Sequence, residues 1–218
     1  MRLWVCTGDR VQRNREQTRA GILDAVGHLL ARSGFNKLGI NAIAREAGVD
    51  KVLIYRYFGG LPELLKAFAE ETDFWPDFPE LMREAKQPLG QMTEAERAKL
   101  LVTAFGRALR RRPLTQEIMR WELLERNELT DAMARHREGQ SIKLFQTFEG
   151  LEDVDVRALA SLLAAGQTYL ILRSKTVDVY NGLFLNAEED WARIERAASF
   201  VVDAAFAKKS APNKPKKG

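Results

Sequence analysis

One cysteine, Cys6, is all the chain has in 218 residues. It allows no internal disulfide and fits a reducing, cytoplasmic setting. The two histidines, His28 and His136, have no second ligand at i+3 or i+4, so they make no metal site, and no paired-cysteine pattern replaces them. Long apolar runs are missing as well. No segment approaches the roughly 18 apolar residues of a membrane span. The patch Leu3-Trp4-Val5-Cys6 is too short for a signal peptide. There is no Gly-rich phosphate loop, no G-x-S-x-G and no H-E-x-x-H. These absences argue against an enzyme and imply no cofactor. Internal repeats and convincing strands are absent too.

What is present suffices for a globular core: 45% of residues are hydrophobic and 29% charged. The charge is unevenly placed. Residues 1–70 carry a net of +4, residues 71–206 a net of −5, and residues 207–218 a net of +5. A basic front faces a polyanion more readily than an acidic middle does.

The periodicity predicts helices throughout, hence an all-α fold. A first helix runs from about Arg15 to Ser33, with Ile22, Leu23, Val26, Leu29 and Leu30 on its apolar face. A fourth runs from about Pro62 to Glu71. Two prolines in Phe74-Trp75-Pro76-Asp77-Phe78-Pro79 and one in Gln87-Pro88-Leu89-Gly90 break the chain. Thr93-Glu94-Ala95-Glu96 is a capping box that opens a helix ending near Arg112-Pro113. Further helices are expected at 115–126, 129–148, 155–175 and 188–208, the last opened by Asn186 and Glu189 in the same reciprocal way.

Between the first and fourth helices lies the most informative stretch. Ile40, Ile43, Ala44 and Ala47 fall at i, i+3, i+4, i+7 and make one apolar face. Gly48 suits the left-handed position that stops a helix. Asp50 then stands where an N-cap belongs. The segment Lys51-Val-Leu-Ile-Tyr-Arg-Tyr-Phe58 mixes cations, phenols and aliphatics within two turns. A helix that must meet phosphates, base edges and its own core uses all three kinds. The pattern is a helix-turn-helix, with Lys51 to Tyr57 as the recognition helix.

These residues carry a family resemblance. I-A-x-x-A-G-V at Ile43 to Val49, Y-R-Y-F at Tyr55 to Phe58, L-L at Leu64 and Leu65, and the helix end Ser33-Gly34-Phe35 resemble the DNA-binding domain of TetR-type transcriptional regulators. The likeness covers about residues 15 to 70. Three positions depart from it. Gly39 stands where the family usually places a capping Ser or Thr, Tyr57 where His is common, and Leu61-Pro62 where a phosphate-binding Lys usually opens helix 4. Each departure puts one contact in doubt and leaves the module intact.

The expected layout is an arm at 1–14, a helix-turn-helix domain at 15–72, a larger helical ligand-binding and dimerisation domain at 73–208, and a disordered Lys- and Pro-rich tail at 209–218. The candidate DNA contacts are Asn41, Arg45, Lys51, Val52, Leu53, Tyr55 and Tyr57. Lys51 reaches a phosphate or a guanine edge, or is a solvated lysine. Val52 and Leu53 meet thymine methyls, or pack under the neighbouring loop. Tyr55 and Tyr57 resemble the family's phosphate-contacting pair; the alternative is that one phenol packs against helix 1. Asn41 reads adenine or holds a phosphate, and Arg45 shares its side of helix 2 or pairs with Glu46 or Asp24. Arg13, Arg15 and Arg19 approach the DNA backbone or stay solvated.

The resemblance implies a homodimer joined through the last two long helices. One carries Leu159, Leu162, Leu163, Gly166, Tyr169 and Leu170, and the other Trp191, Ile194, Ala198, Val201, Val202, Ala205 and Phe206. A single reading helix covers few base pairs, and two about 34 Å apart read a palindromic duplex. Simple core packing is the other reading of these faces. The resemblance also implies a small, mostly apolar effector in the middle domain, with Trp121, Phe148 and Tyr169 as candidate lining residues, and a repressor. A helical protein-interaction module and a helical-bundle enzyme are the alternatives. Steep salt dependence separates DNA binding from an apolar protein contact.

Overall fold

The structure is a computed structural model and describes residues 7–72, 74–148 and 154–207. The tail expected at 209–218 lies outside the described residues. The chain folds into ten α-helices among the described residues: α1 (Thr7–Ser33), α2 (Ile40–Ala47), α3 (Lys51–Phe58), α4 (Leu61–Glu71), α5 (Phe78–Met82), α6 (Glu94–Arg110), α7 (Pro113–Glu122), α8 (Glu128–Phe145), α9 (Val156–Arg173) and α10 (Glu188–Ala207). A hairpin of two short strands, β1 (Val179–Tyr180) and β2 (Leu183–Phe184), joins the last two. Short 3-10 turns at Phe35–Lys37, Leu89–Gln91 and Gln146–Phe148 complete the elements. The all-α class read from the periodicity holds.

Two compact units emerge. Unit 1 holds Met1–Trp75 together with Glu117–His136, and unit 2 holds Pro76–Gln116 with Arg137–Gly218. The chain therefore leaves unit 2 partway along α7 and re-enters it partway along α8. The boundary read from sequence at 72/73 places residues 117–136 with the larger domain, whereas they pack with unit 1.

In unit 1, α1 presents Ile22, Leu23, Val26, Leu29 and Leu30 to a core shared with Phe35, Ile43, Ile54, Leu64, Leu65 and Phe68. Ile118 of α7 and Met133 of α8 complete that core. Trp121 donates its indole N–H to the Ala31 carbonyl at 3.2 Å. The Glu125 carboxylate accepts the backbone N–H groups of Phe35 at 3.0 Å and Asn36 at 3.1 Å. Those two amides open a 3-10 turn and have no partner inside it, so Glu125 does what a cap does from about ninety residues away.

In unit 2, α6 is the central helix, packed against α5, α9 and α10. Its capping box is formed as read: Glu96 accepts from the Thr93 N–H at 2.7 Å, and Thr93 accepts from the Glu96 N–H at 3.2 Å. The buried core here is Leu81, Ala98, Leu101, Ala104, Ala108, Phe148, Val202 and Phe206. Arg112, almost fully buried, forms a two-pronged pair with Glu80 at 2.9 and 2.5 Å. Arg107 bridges Glu84 at 2.8 Å and Glu195 at 2.9 Å.

Four local readings are corrected. α1 begins at Thr7, ahead of the start expected near Arg15, and no proline interrupts it from there to Ser33; the arm expected at 1–14 thus overlaps a helix, and residues 1–6 lie outside the described residues. The hairpin contradicts the reading of no strands. Asn181 and Gly182 both have positive φ (50° and 77°), the turn that joins two strands tightly. α10 opens at Glu188, with the Ala187 carbonyl taking the Trp191 N–H, so Asn186 sits one residue too early to cap it. Finally, Pro79 starts a short helix rather than merely ending one: Asp77 caps α5 by accepting the Glu80 N–H at 2.8 Å.

Candidate nucleic-acid interface

The turn between α2 and α3 follows from three residues. Gly48 adopts the left-handed conformation (φ 65°, ψ 31°) and returns its N–H to the last carbonyls of α2. Val49 packs back on the core. Asp50 accepts the Val52 N–H at 2.8 Å and starts α3. Ile54 is wholly buried and fixes the inner face of α3, with Phe58 one turn on packed against the same core.

The outer face of α3 is then determined. Val52, Tyr55 and Arg56 fall at i, i+3, i+4 and are all exposed, with Lys51 beside them. Val52 is 63% exposed and Tyr55 53%. An apolar side chain so open on a short helix has no packing role. Leu53 is partly buried. The two phenols part ways: Tyr57 packs against the core of unit 1 beneath the Arg15 guanidinium, 5.7 Å from its ring, while Tyr55 points out. The open question of whether one phenol packs inward is answered for Tyr57.

On α2, Asn41 and Arg45 are exposed one turn apart, opposite buried Ile43 and Ala44. Glu46 pairs with Arg32 at 2.9 Å rather than with Arg45. Gly39 precedes α2 without a side-chain cap, and a Cβ added there meets nothing. The missing hydroxyl is thus a matter of chemistry, not of space.

Of the arginines on α1, the Arg13 side chain lies outside the described residues. Arg15 is exposed. Arg19 is held: it forms a two-pronged pair with Glu71 of α4 and lies 4.8 Å from the Phe58 ring centroid. The hydrogen bonds from Arg19 keep the Glu71 carboxyl below the usual carboxylate range. Arg19 is therefore a tie between α1 and α4.

Arg56 was missed in the sequence. The signal was its place one turn beyond Val52, on the face opposite Ile54. The structure gathers Lys51, Val52, Tyr55 and Arg56 on α3 with Asn41 and Arg45 on α2. It does not gather the three candidate effector contacts. Trp121 belongs to unit 1, Phe148 is buried in the core of unit 2, and Tyr169 is half exposed on α9, in edge contact with Tyr180 of β1. Among the described residues no cluster of His, Cys, Asp or Glu suits a metal ion, and no helix is long and apolar enough to cross a membrane.

A helix-turn-helix with a polar, cationic and apolar outer face, borne on a helical body, defines a DNA-binding transcriptional regulator. The model of the family described as bacterial regulatory proteins, tetR family, matches residues 22–68. The chain is 28% identical over 186 residues to the HTH-type transcriptional repressor KstR of Rhodococcus jostii, covering 80% of this chain and 82% of that one. In fold it is similar to a TetR family transcription regulator from Marinobacter aquaeolei (TM-score 0.60, 19% identity, 88% of this chain and 97% of that one). A putative TetR-family regulator from a Rhodococcus species is similar too (TM-score 0.59, 18% identity, 85% and 98%). Residues 22–68 thus match the DNA-binding domain of the TetR family, and the chain is similar along most of its length to transcriptional regulators of that family.

Proposed function

We propose that this regulator is a homodimeric repressor that works in the cytoplasm. It binds a palindromic operator through 15–72 and releases it when a small, mostly apolar effector enters the helical region within 73–208. Val52 carries the argument for sequence reading: a 63% exposed valine in the first turn of α3 is stable in water only at a cost and suits a thymine methyl. Lys51, Tyr55, Asn41 and Arg45 then hold phosphates or base edges around it, Leu53 supports Val52 from a half-buried position, and Tyr57 offers its hydroxyl from beneath Arg15. The similarity to a named repressor supports the sign of regulation.

The pairing of two copies is supported by α9 and α10. Leu162 is 75% exposed and Phe200 73%, and Tyr169 and Val201 are also exposed. Leu162 and Tyr169 stand two turns apart on one face of α9 with Gly166 between them, and Phe200 and Val201 are neighbours on α10. Water-facing apolar side chains in such numbers on two long helices fit burial against a second copy.

Selection of random duplex DNA by the purified protein, followed by sequencing, tests the reading. A two-fold palindrome with binding that falls steeply as salt rises is expected. Enrichment of no sequence removes the specific-reader assignment.

A further inference from the structure

Positions 97, 101, 104 and 108 of α6 fall at i, i+4, i+7 and i+11, one stripe of the helix. Leu101, Ala104 and Ala108 are buried in the core of unit 2, as is Ala98 beside them. Arg97 thus places a guanidinium at the end of a stripe that calls for an apolar residue. It is partly buried, and its Nε is shielded from water with no hydrogen-bond partner. Its guanidinium carbon lies 5.6 Å from the centroid of the Phe148 ring. Phe148 is itself part of the buried core.

The other arginines in and just after α6 are matched. Arg107 has Glu84 and Glu195, Arg110 has Glu188, Arg111 lies near Glu80 and Glu84, and Arg112 has Glu80. Two acids near Arg97, Glu96 in sequence and Asp203 on α10, are engaged elsewhere. Glu96 is taken up in the capping box with Thr93, and Asp203 pairs with Lys99 at 2.7 Å. A half-sheltered cation whose inner N–H is unsatisfied weakens the fold that holds it. An apolar side chain of similar volume would suit the position better for stability alone.

We propose that Arg97 and Phe148 form the seat for the head group of an organic carboxylate with an apolar body. This rests on the effector reading above and names the effector's class. The guanidinium offers a planar fork of N–H donors that matches a carboxylate. The Phe148 ring beside the guanidinium limits how that fork can turn. The partly buried Leu100, Leu144 and Val154 that pack against the same core supply hydrocarbon for the body of the ligand. A single cation set among apolar neighbours suits a monoanion; a dianionic phosphate would bring one charge with no partner, since Lys99 is already paired.

Calorimetric titration of the full-length protein with decanoate and with methyl decanoate tests the seat. The wild type is expected to bind the acid at least tenfold more tightly than the ester. In Arg97→Met the two should bind alike. The same variant without ligand is expected to melt at or above the wild-type temperature, which also shows that it has folded. Equal binding of acid and ester by the wild type, binding of neither, or a preference for the acid that survives Arg97→Met overturns the proposal. A fall in melting temperature on Arg97→Met also overturns it, because Arg97 would then be a structural partner of Phe148. Operator affinity measured in the same samples tests the underlying reading separately. Decanoate bound through Arg97 without any change in DNA affinity leaves the seat standing and removes the effector role.

Discussion

Trp121 lies against Gly34 so closely that a Cβ at Gly34 would sit 2.7 Å from its ring. Gly34 also has φ 72° and ψ −175°, a region essentially closed to other residues. Gly34→Ala should therefore lose roughly 2–4 kcal/mol of stability, from backbone strain and displacement of the tryptophan. Denaturant unfolding with both tryptophan fluorescence and circular dichroism checks this. A loss below about 0.5 kcal/mol would mean that Trp121 moves aside freely.

Val52→Ala should leave the melting temperature unchanged, since the side chain is exposed. It should relax preference at one base position of the operator by roughly 1 kcal/mol or more. Binding to a panel of single-base operator variants reads this out. Undiminished discrimination at every position would assign Val52 no part in reading.

Tyr55→Phe removes one exposed hydroxyl and keeps the ring. If that hydroxyl holds a phosphate, affinity should fall by one factor on all sequences alike. The same panel gives the answer, and a changed order of preference among its members would count against the phosphate role.

The Arg19–Glu71 pair ties α1 to α4 and gives the reading head an acid limit. Arg19 lowers the folded-state pKa of Glu71. The stability it adds is fully present above the unfolded value, about 4.3, and is lost as pH falls through the folded value. Glu71→Gln should therefore show a shallower loss of stability between about pH 5 and pH 3 than the wild type. Both side chains are partly exposed, so the difference should stay under about 1 kcal/mol. Parallel pH profiles would show that the pair contributes nothing in solution.

The helix-turn-helix was legible residue by residue because its signals are local. Gly48 stops α2, Asp50 caps α3 and Thr93 with Glu96 opens α6, each within a few residues of what it controls. The hairpin was not read: Asn181-Gly182 is a turn signal, but its strands are two residues each and too short for alternation to show. Residues 117–136 were not legible as part of the first unit. Ile118, Trp121 and Met133 carry a helical pattern that would serve any core, and their partners lie far away in the chain. Arg19 gave no sign of Glu71, 52 residues on, for the same reason. On α3, Lys51, Val52 and Tyr55 were read as the outer face, but Leu53 and Tyr57 are partly buried, and Arg56 looked like ordinary surface until Ile54 fixed the rotation of the helix.

Residues 117–136 also bear on how such proteins can be recombined. A reading head cut from this chain at Trp75 leaves behind Ile118 and Met133, which its core needs, and Glu125, which holds two of its backbone amides. The portable piece is discontinuous. A chimaera that grafts a new DNA specificity onto this body, or this specificity onto another, must either carry the α7–α8 corner with the head or rebuild the surface on which it sits.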